Sequence, residues 1–119
     1  MSKTPDQIKP NYSPIYAAAL YPDLAAICIS HGYALAVHGS LARDFDLIAV
    51  PWVAQTSLPE EVLKEITETF CIQLLGSAEK KGDRRIAYSI GVGFGECCLD
   101  FSFILDDVNY EKLENPTRE

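Results

Sequence analysis

The stretch at residues 33–53, YALAVHGSLARDFDLIAVPWV, decides the fold predicted for this chain. Its apolar runs at residues 33–37 and 45–50 have the composition of β-strands. Residues 39–44, between these runs, include a glycine, a hydroxyl, a guanidinium and a carboxylate, which is typical of a tight polar turn. The sequence therefore predicts strand, turn and strand, with chemically useful side chains at the turn.

Two carboxylates, Asp44 and Asp46, stand where the second strand begins. Alternate residues of a strand share a face, so the backbones of these two residues lie about 6.6 Å apart on one side of the sheet. Like charges raise each other's pKa, and such a pair is costly unless a cation lies beside it. Carboxylate oxygens suit Mg²⁺, which proteins often bind through one or two carboxylates together with substrate phosphates.

Residues 39–46, GSLARDFD, resemble the signature of the polymerase-beta-like nucleotidyltransferase superfamily. In that family a Gly-Ser pair closes one strand, an Asp-x-Asp pair opens the next, and a third carboxylate stands between apolar residues on a later strand. The residues that match are Gly39, Ser40, Asp44, Asp46 and Asp100. One difference is that Arg43 directly precedes Asp44, whereas family members usually place several more residues, often a glycine-bearing loop, between the two pairs.

The resemblance implies that Asp44, Asp46 and Asp100 are metal ligands and catalytic residues. Three convergent carboxylates could hold two Mg²⁺ ions about 3.5–4 Å apart for an in-line phosphoryl displacement. Nucleotide-binding roles are also implied. Gly39 would let the backbone approach a phosphate, Ser40 would donate a hydrogen bond to it, and the Arg43 guanidinium would neutralise its charge.

Structural explanations for the same residues remain open. Asp44 could cap the turn and pair with Arg43, because aspartate is common in tight loops. Asp46 and Asp100 each lie inside an apolar run, where an ionised group needs a partner. A shared polar site explains both aspartates together. His38 precedes the turn and could face the same pocket, although a lone histidine is more often a satisfied polar residue.

Composition limits the classes of function. The chain has 119 residues and a net charge of −7, which indicates one acidic domain without the basic footprint of a polynucleotide-binding protein. No apolar run approaches the roughly 18 residues that span a membrane, and the N-terminus does not resemble a signal peptide. We therefore expect a cytoplasmic protein that binds neither membranes nor polynucleotides directly. The four cysteines form no C-x-x-C pair, which favours buried free thiols.

Four of the ten basic residues lie close together, namely Lys80, Lys81, Arg84 and Arg85. The structural interpretation of this cluster is a solvated hairpin or loop tip. The functional interpretation is an edge that faces the phosphates of a nucleotide. A single small basic loop in an acidic protein suits a nucleotide better than a polynucleotide.

The remaining sequence predicts a loose arm at residues 1–12, a domain at residues 13–105 and an acidic, weakly structured tail at residues 106–119. Pro22 either kinks the first helix or separates it from a second helix that starts near Tyr21. Ser57 and Glu60 have the spacing of a capping box before an amphipathic helix that ends near Phe70. Trp52 could stack on a base, although general burial preferences favour a core or rim anchor.

The predicted order of elements is helix, strand, strand, helix and three more strands, with short strands at residues 71–75, 85–92 and 96–105. This order corresponds to an α+β fold, in which two to three helices lie on one face of a largely antiparallel sheet of about five strands. The nucleotidyltransferase resemblance implies the same architecture.

Three functions fit these observations. The first is a minimal nucleotidyltransferase that moves a nucleoside monophosphate from an NTP to a hydroxyl acceptor, and that works with a protein partner or as a homo-oligomer. The second is a protein that binds a nucleotide or nucleotide signal without turnover, which the shortened loop favours. The chain also looks like short proteins carried by phages, where capture of a host nucleotide signal would fit. The third is a structural or interaction protein.

Overall fold

The computed structural model describes residue 11 and residues 13–42, 44–92 and 98–115. In chain order, the elements are α1 (Ser13–Ala19), α2 (Tyr21–Ser30), β1 (Tyr33–Val37), β2 (Phe45–Pro51), α3 (Pro59–Phe70), β3 (Gln73–Lys80), β4 (Arg85–Gly91), β5 (Cys98–Ile104) and α4 (Asp107–Glu114). The α+β prediction is confirmed, with four helices in the described part of the chain where two to three were expected. None of these helices is long and apolar enough to cross a membrane.

The five described strands form one sheet in the order β1-β2-β5-β4-β3. Three of the four pairings are antiparallel, and the exception is the parallel pair of β2 with β5. The chain makes this parallel pair by crossing from β2 through α3 and the β3–β4 hairpin before it returns as β5. As a result, the beginnings of β2 and β5 lie side by side.

One face of the sheet forms the hydrophobic core with the helices. Leu47 of β2 and Tyr88 of β4 both pair with Phe101 of β5, and all three side chains are buried. Each such side chain stabilises the fold by about 1.5–3 kcal/mol relative to an exposed one. The helices contribute to the same core, chiefly through Tyr16, Leu24, Cys28, Val62, Leu63 and Ile66, with Tyr110 of α4 packed against it. We call the opposite side of the sheet the open face, because the described helices all pack on the core side.

Pro22 separates two helices. It lies near the start of α2, and α1 ends at Ala19, so the second of the two predicted alternatives is confirmed. The predicted capping box before α3 is wrong by one residue. Leu58 is the N-cap, and its amide donates to Oε2 of Glu61 at 3.2 Å. Ser57 instead shares a 2.7 Å hydrogen bond with Nδ1 of His31.

Strand β3 is longer than the sequence predicted. Residues 76–80 were expected to form a polar turn, but they continue the strand to Lys80. Gly76 has a φ of +67°, and the register with β4 shifts between Leu75 and Glu79, which is a β-bulge. Every residue of β3 is exposed at this edge of the sheet, so its polar composition is compatible with a strand.

The prediction of a weakly structured tail is wrong for Asp107–Glu114, which form α4. Asp106 caps this helix, since its Oδ1 accepts from the amide of Asn109 at 2.8 Å. Its Oδ2 accepts from the amide and the hydroxyl of Thr56, at 2.9 and 2.8 Å. The buried Asn109 side chain donates to Thr56 and Ser57. Long-range hydrogen bonds therefore hold a helix whose own sequence is weakly amphipathic.

Two further predictions need correction. Trp52 was predicted to be a core or rim anchor, and its exposure of 80% shows that the core part of this prediction is wrong. Among the cysteines that the structure describes, Cys28 is buried as expected, whereas Cys71 is exposed. Both errors concern residues just beyond the end of a regular element, where the local sequence does not determine which way the chain leaves the core.

Candidate functional site

The parallel pairing of β2 with β5 places Asp46 directly beside Asp100. Neighbouring strands are about 4.8 Å apart, so the two carboxylates share one end of the open face. Both residues are half-buried, and Ser89 of β4 stands on the other side of Asp100. Two of the three predicted carboxylates thus come together through the topology of the sheet.

The turn between β1 and β2 closes over Asp46. Gly39 has a φ of +80°, and a Cβ atom at this position would lie 2.4 Å from Oδ2 of Asp46. The amide of His38 donates to the Asp46 carbonyl at 3.0 Å, and the amide of Leu41 donates to the Asp46 carboxylate. Only glycine can bring the backbone this close to the carboxylate.

Leu41 adopts a φ of 52°, in the left-handed region. For a residue with a Cβ atom this conformation costs about 1–2 kcal/mol. Strained backbone of this kind is concentrated at binding and catalytic sites, where the surrounding structure holds it in place. The amide of Leu41 is one of the groups that the strained turn presents to Asp46.

The environment of Asp46 favours its protonated form. Partial burial raises the pKa of the Asp46 carboxyl above its ordinary value, and the nearby charges of Asp100 and Asp44 act in the same direction. The hydrogen bond from Leu41 and the proximity of His38 oppose this rise in pKa without cancelling it. A cation that lies beside such a carboxylate stabilises its ionised form.

Asp44 contributes differently from the other two carboxylates. Its Oδ1 accepts a 3.0 Å hydrogen bond from the amide of Cys98 at the start of β5. This hydrogen bond connects the β1–β2 turn to the start of β5, which is a structural role for Asp44. Within the described ranges, no group of three His, Cys, Asp or Glu residues is arranged to hold a metal ion.

His38 lies close enough to Asp46 to affect the pKa of that carboxyl. Its Nε2 atom is buried and has no hydrogen-bond partner among the residues that the structure describes. A buried ring nitrogen without a partner is costly, so His38 is a candidate contact for a ligand at the two aspartates.

The predicted nucleotide-binding residues do not all lie together. Gly39 and Ser40 are exposed beside Asp46, where the Ser40 hydroxyl accepts from the amide of Ala42 at 3.3 Å. Arg43 lies outside the described residues. The basic cluster is at the opposite end of the sheet, because Arg85 pairs with Ile104 of β5. Ile104 is four positions after Asp100, which corresponds to about 13 Å along the strand.

The basic cluster makes contacts within its own end of the fold. Three of its side chains form ion pairs, which are Lys80 with Glu114 at 2.7 Å, Lys81 with Glu79 at 3.0 Å, and Arg84 with Asp107 at 2.6 Å. Arg84 also lies 4.5 Å from the centre of the Tyr110 ring. Arg85 lies on the open face, where its Nε donates to Ser102 at 3.1 Å. Apart from Arg85 and Lys81, these side chains join the β3–β4 hairpin to α4.

A cavity of about 330 Å³ lies between the start of α3 and α4, away from the aspartates. Its lining is mainly apolar, with Glu60, Asn109 and Lys112 as polar members. This cavity could not be predicted from the sequence, because residues 107–114 show little helical signal of their own. The role of Leu41 could not be predicted either, since a left-handed leucine has no signal in the sequence.

No protein-family model matches the chain, and no curated protein or solved structure is significantly similar to it. The resemblance to nucleotidyltransferases therefore depends on the residues of the turn and of the two strands that carry Asp46 and Asp100.

Proposed function

We propose that this protein binds a nucleotide with Mg²⁺ at Asp46 and Asp100 and transfers a nucleoside monophosphate to a hydroxyl acceptor. The observation that carries the proposal is the pairing of Asp46 with Asp100 on adjacent parallel strands, beside a turn that begins with Gly39 and Ser40. A cytoplasmic location, where NTPs are abundant, belongs to the same proposal.

The donor chemistry of the site fits magnesium. Asp46 and Asp100 offer adjacent carboxylate oxygens, and partial burial raises the pKa of Asp46, so a cation beside this carboxylate would stabilise its charged form. When bound, Mg²⁺ would stabilise negative charge on phosphoryl oxygens and make an acceptor hydroxyl easier to deprotonate. Mg²⁺ commonly uses one or two protein carboxylates and takes its other ligands from phosphates and water.

The chain's own groups have separate roles in this proposal. Gly39 lets the backbone of the turn pack directly against the Asp46 carboxylate, and the exposed Ser40 hydroxyl can donate to a phosphate bound beside it. Asp100 would accept the proton of an acceptor hydroxyl. His38 can donate from its ring nitrogen to an oxygen of the ligand.

A second candidate function is nucleotide binding without turnover. The observation that favours it is the hydrogen bond from the Cys98 amide to Asp44. Because of this bond, the Asp44 carboxylate has a structural contact with β5. Two carboxylates can hold one Mg²⁺ with a nucleotide, whereas the two-ion mechanism uses a larger set of ligands.

The test is a thermal-unfolding screen of NTPs and of cyclic and linear nucleotide signals, with and without Mg²⁺. A ligand present at about 100 times its Kd adds roughly 2.7 kcal/mol to the free energy of unfolding. We expect a Mg²⁺-dependent shift with an NTP that Asp46→Asn abolishes. The matched control is Asp83→Asn, which removes an exposed carboxylate from the β3–β4 hairpin and should leave the shift unchanged.

Product analysis separates the two candidates. Transfer of label from an α-³²P-NTP, lost in Asp100→Asn while binding persists, supports the nucleotidyltransferase. A ligand-induced shift without any transferred label or released pyrophosphate supports the binding protein. If no nucleotide shifts the unfolding temperature in either condition, both proposals fail and the third function, a structural or interaction protein, is the one left.

A further inference from the structure

The open face of the sheet is apolar at its centre and along its β1–β2 side. Strand alternation places eight apolar residues on it, namely Ala34, Ala36, Ile48, Val50, Trp52, Leu75, Ala87 and Ile104. Trp52 follows β2 and continues the alternation, because its amide donates to the carbonyl of Gly32 at 2.8 Å. Trp52 is 80% exposed and Val50 is 39% exposed. Exposed tryptophan within an apolar surface is typical of an interface.

The charges on the open face are separated along the strands. Asp46 and Asp100 lie at one end, and Arg85 lies at the other. Glu79 of β3 is also on this face, beside Ala87, and its carboxylate forms an ion pair with Lys81 at 3.0 Å, so Arg85 supplies the net positive charge of that end. About 13 Å of strand lies between the row of Asp100 and the row of Arg85. The face therefore has an acidic end, a mainly apolar centre and an opposite end that is positive through Arg85.

This pattern is complementary to itself in only one orientation. A two-fold axis parallel to the strands would place the acidic ends of two copies together. A two-fold axis that lies in the plane of the interface and across the strands reverses the strand direction, so each acidic end meets a basic end. The apolar centres, with Ile48 near the axis, then pack on each other. Closed two-fold dimers are the commonest form of homo-oligomer.

We propose that two copies of this chain form a dimer through their open faces, with the strands antiparallel. Arg85 of each copy approaches Asp100 of the other, and the apolar residues around Ile48 are buried between the two sheets. The dimer does not depend on the proposed nucleotide chemistry, since it rests on the distribution of charge and apolar surface alone.

The same arrangement adds residues to the proposed site. Within one chain, Trp52 lies six residues from Asp46, which is about 20 Å along the strand and out of reach of a nucleotide held at Asp46. In the dimer, Trp52 of the second copy approaches the Asp46 end, where its ring could stack on a base, and Arg85 of the second copy could contact phosphates. This extension rests on the proposed function.

The size of the face indicates a weak dimer. Five strands about 4.8 Å apart and about 20 Å long present roughly 400 Å² per copy, or about 800 Å² in total. Stable interfaces bury about 1,600 Å², and weak ones less than about 1,200 Å². Dimerisation must therefore be measured over a wide range of concentration, from about 1 μM to about 1 mM, where weak complexes dissociate.

The test is sedimentation equilibrium of the full chain in low salt, without nucleotide, for the wild type, Arg85→Glu, Asp100→Lys and the double variant. In each single variant, like charges meet at both contacts of the dimer, so we expect Kd to rise about 10-fold or more. An equimolar mixture of the two single variants restores opposite charges at both contacts and should form a heterodimer of near wild-type affinity. The double variant should dimerise by itself for the same reason.

Two controls keep the result interpretable. Lys64→Glu reverses an exposed charge on α3, on the core side of the sheet, and should leave Kd unchanged. Trp52→Ala should weaken the dimer, and circular dichroism checks that each variant is folded. A chain that stays monomeric up to about 1 mM, or a dimer that the single charge reversals leave intact, overturns the proposal. Neither result bears on nucleotide binding, which the thermal screen measures separately.

Discussion

The contact between Gly39 and Asp46 gives the sharpest prediction about the candidate site. Gly39→Ala adds a Cβ atom that would lie 2.4 Å from Oδ2 and 2.8 Å from Cγ of Asp46. The backbone at Gly39 also has a φ of +80°, which an alanine adopts only with strain. The substitution therefore has two separate costs, one from the backbone and one from the collision with the carboxylate.

The two costs can be measured independently because Gly76 provides a matched control. Gly76 has a φ of +67°, and an added Cβ atom there would meet nothing within 4 Å. Gly76→Ala should lower the free energy of unfolding by about 1–2 kcal/mol, which is the cost of a left-handed residue. Gly39→Ala should lower it by a further 1–3 kcal/mol or so, which is typical of forcing extra atoms into a packed position.

Urea unfolding followed by circular dichroism measures these differences, provided that the m-value stays unchanged. In the background of Asp46→Ala, which removes Oδ2 and Cγ but keeps Cβ at 2.9 Å, the cost of Gly39→Ala should fall part of the way toward that of Gly76→Ala. This non-additivity isolates the contact between the two residues. Equal costs for Gly39→Ala and Gly76→Ala in the wild-type background would refute the close packing of the turn on Asp46.

Three further predictions concern pH, buried polar contacts and thiol reactivity. The raised pKa of Asp46 means that the folded state binds a proton more readily than the unfolded state. The gain in free energy of unfolding from Asp46→Asn should therefore increase as pH rises above the ordinary pKa of 3.8, and it should become constant above the pKa of the folded state. In urea titrations across this range, a constant difference would contradict the pKa shift. Asn109→Ala removes the donor to Thr56 and Ser57 and should cost about 2–3 kcal/mol, whereas a cost below about 0.5 kcal/mol would show that α4 is not held by these bonds. Burial raises the pKa of Cys28 to about 12, so in a variant with the other cysteines changed to serine its thiol should react with a disulfide reagent only on unfolding.

Local sequence was sufficient for most of the regular elements. Strand β1 coincides with the predicted apolar run, and β2 extends one residue beyond its prediction, to Pro51. Helix α3 ends at Phe70 as its amphipathic pattern required. These elements are set by the period of their apolar residues, which is a property of short segments.

The predictions failed where long-range contacts replace local preference. Residues 76–80 have a turn-like composition, but pairing with β4 and a bulge at Gly76 make them part of a strand. Residues 107–114 have little helical signal of their own, and the bonds from Asp106 and Asn109 to the segment before α3 hold them as a helix. Tertiary contacts routinely override weak propensities of this kind.

For the candidate site, the sequence by itself determined which residue types are available: a glycine turn, an Asp-x-Asp pair and a third aspartate within an apolar run. Only the tertiary structure decided that Asp100 pairs with Asp46, that Asp44 holds the start of β5, and that the basic cluster lies at the other end of the sheet. The physical reason is that side-chain periodicity is encoded within a strand, whereas the neighbour and register of that strand depend on how the whole chain buries its apolar faces.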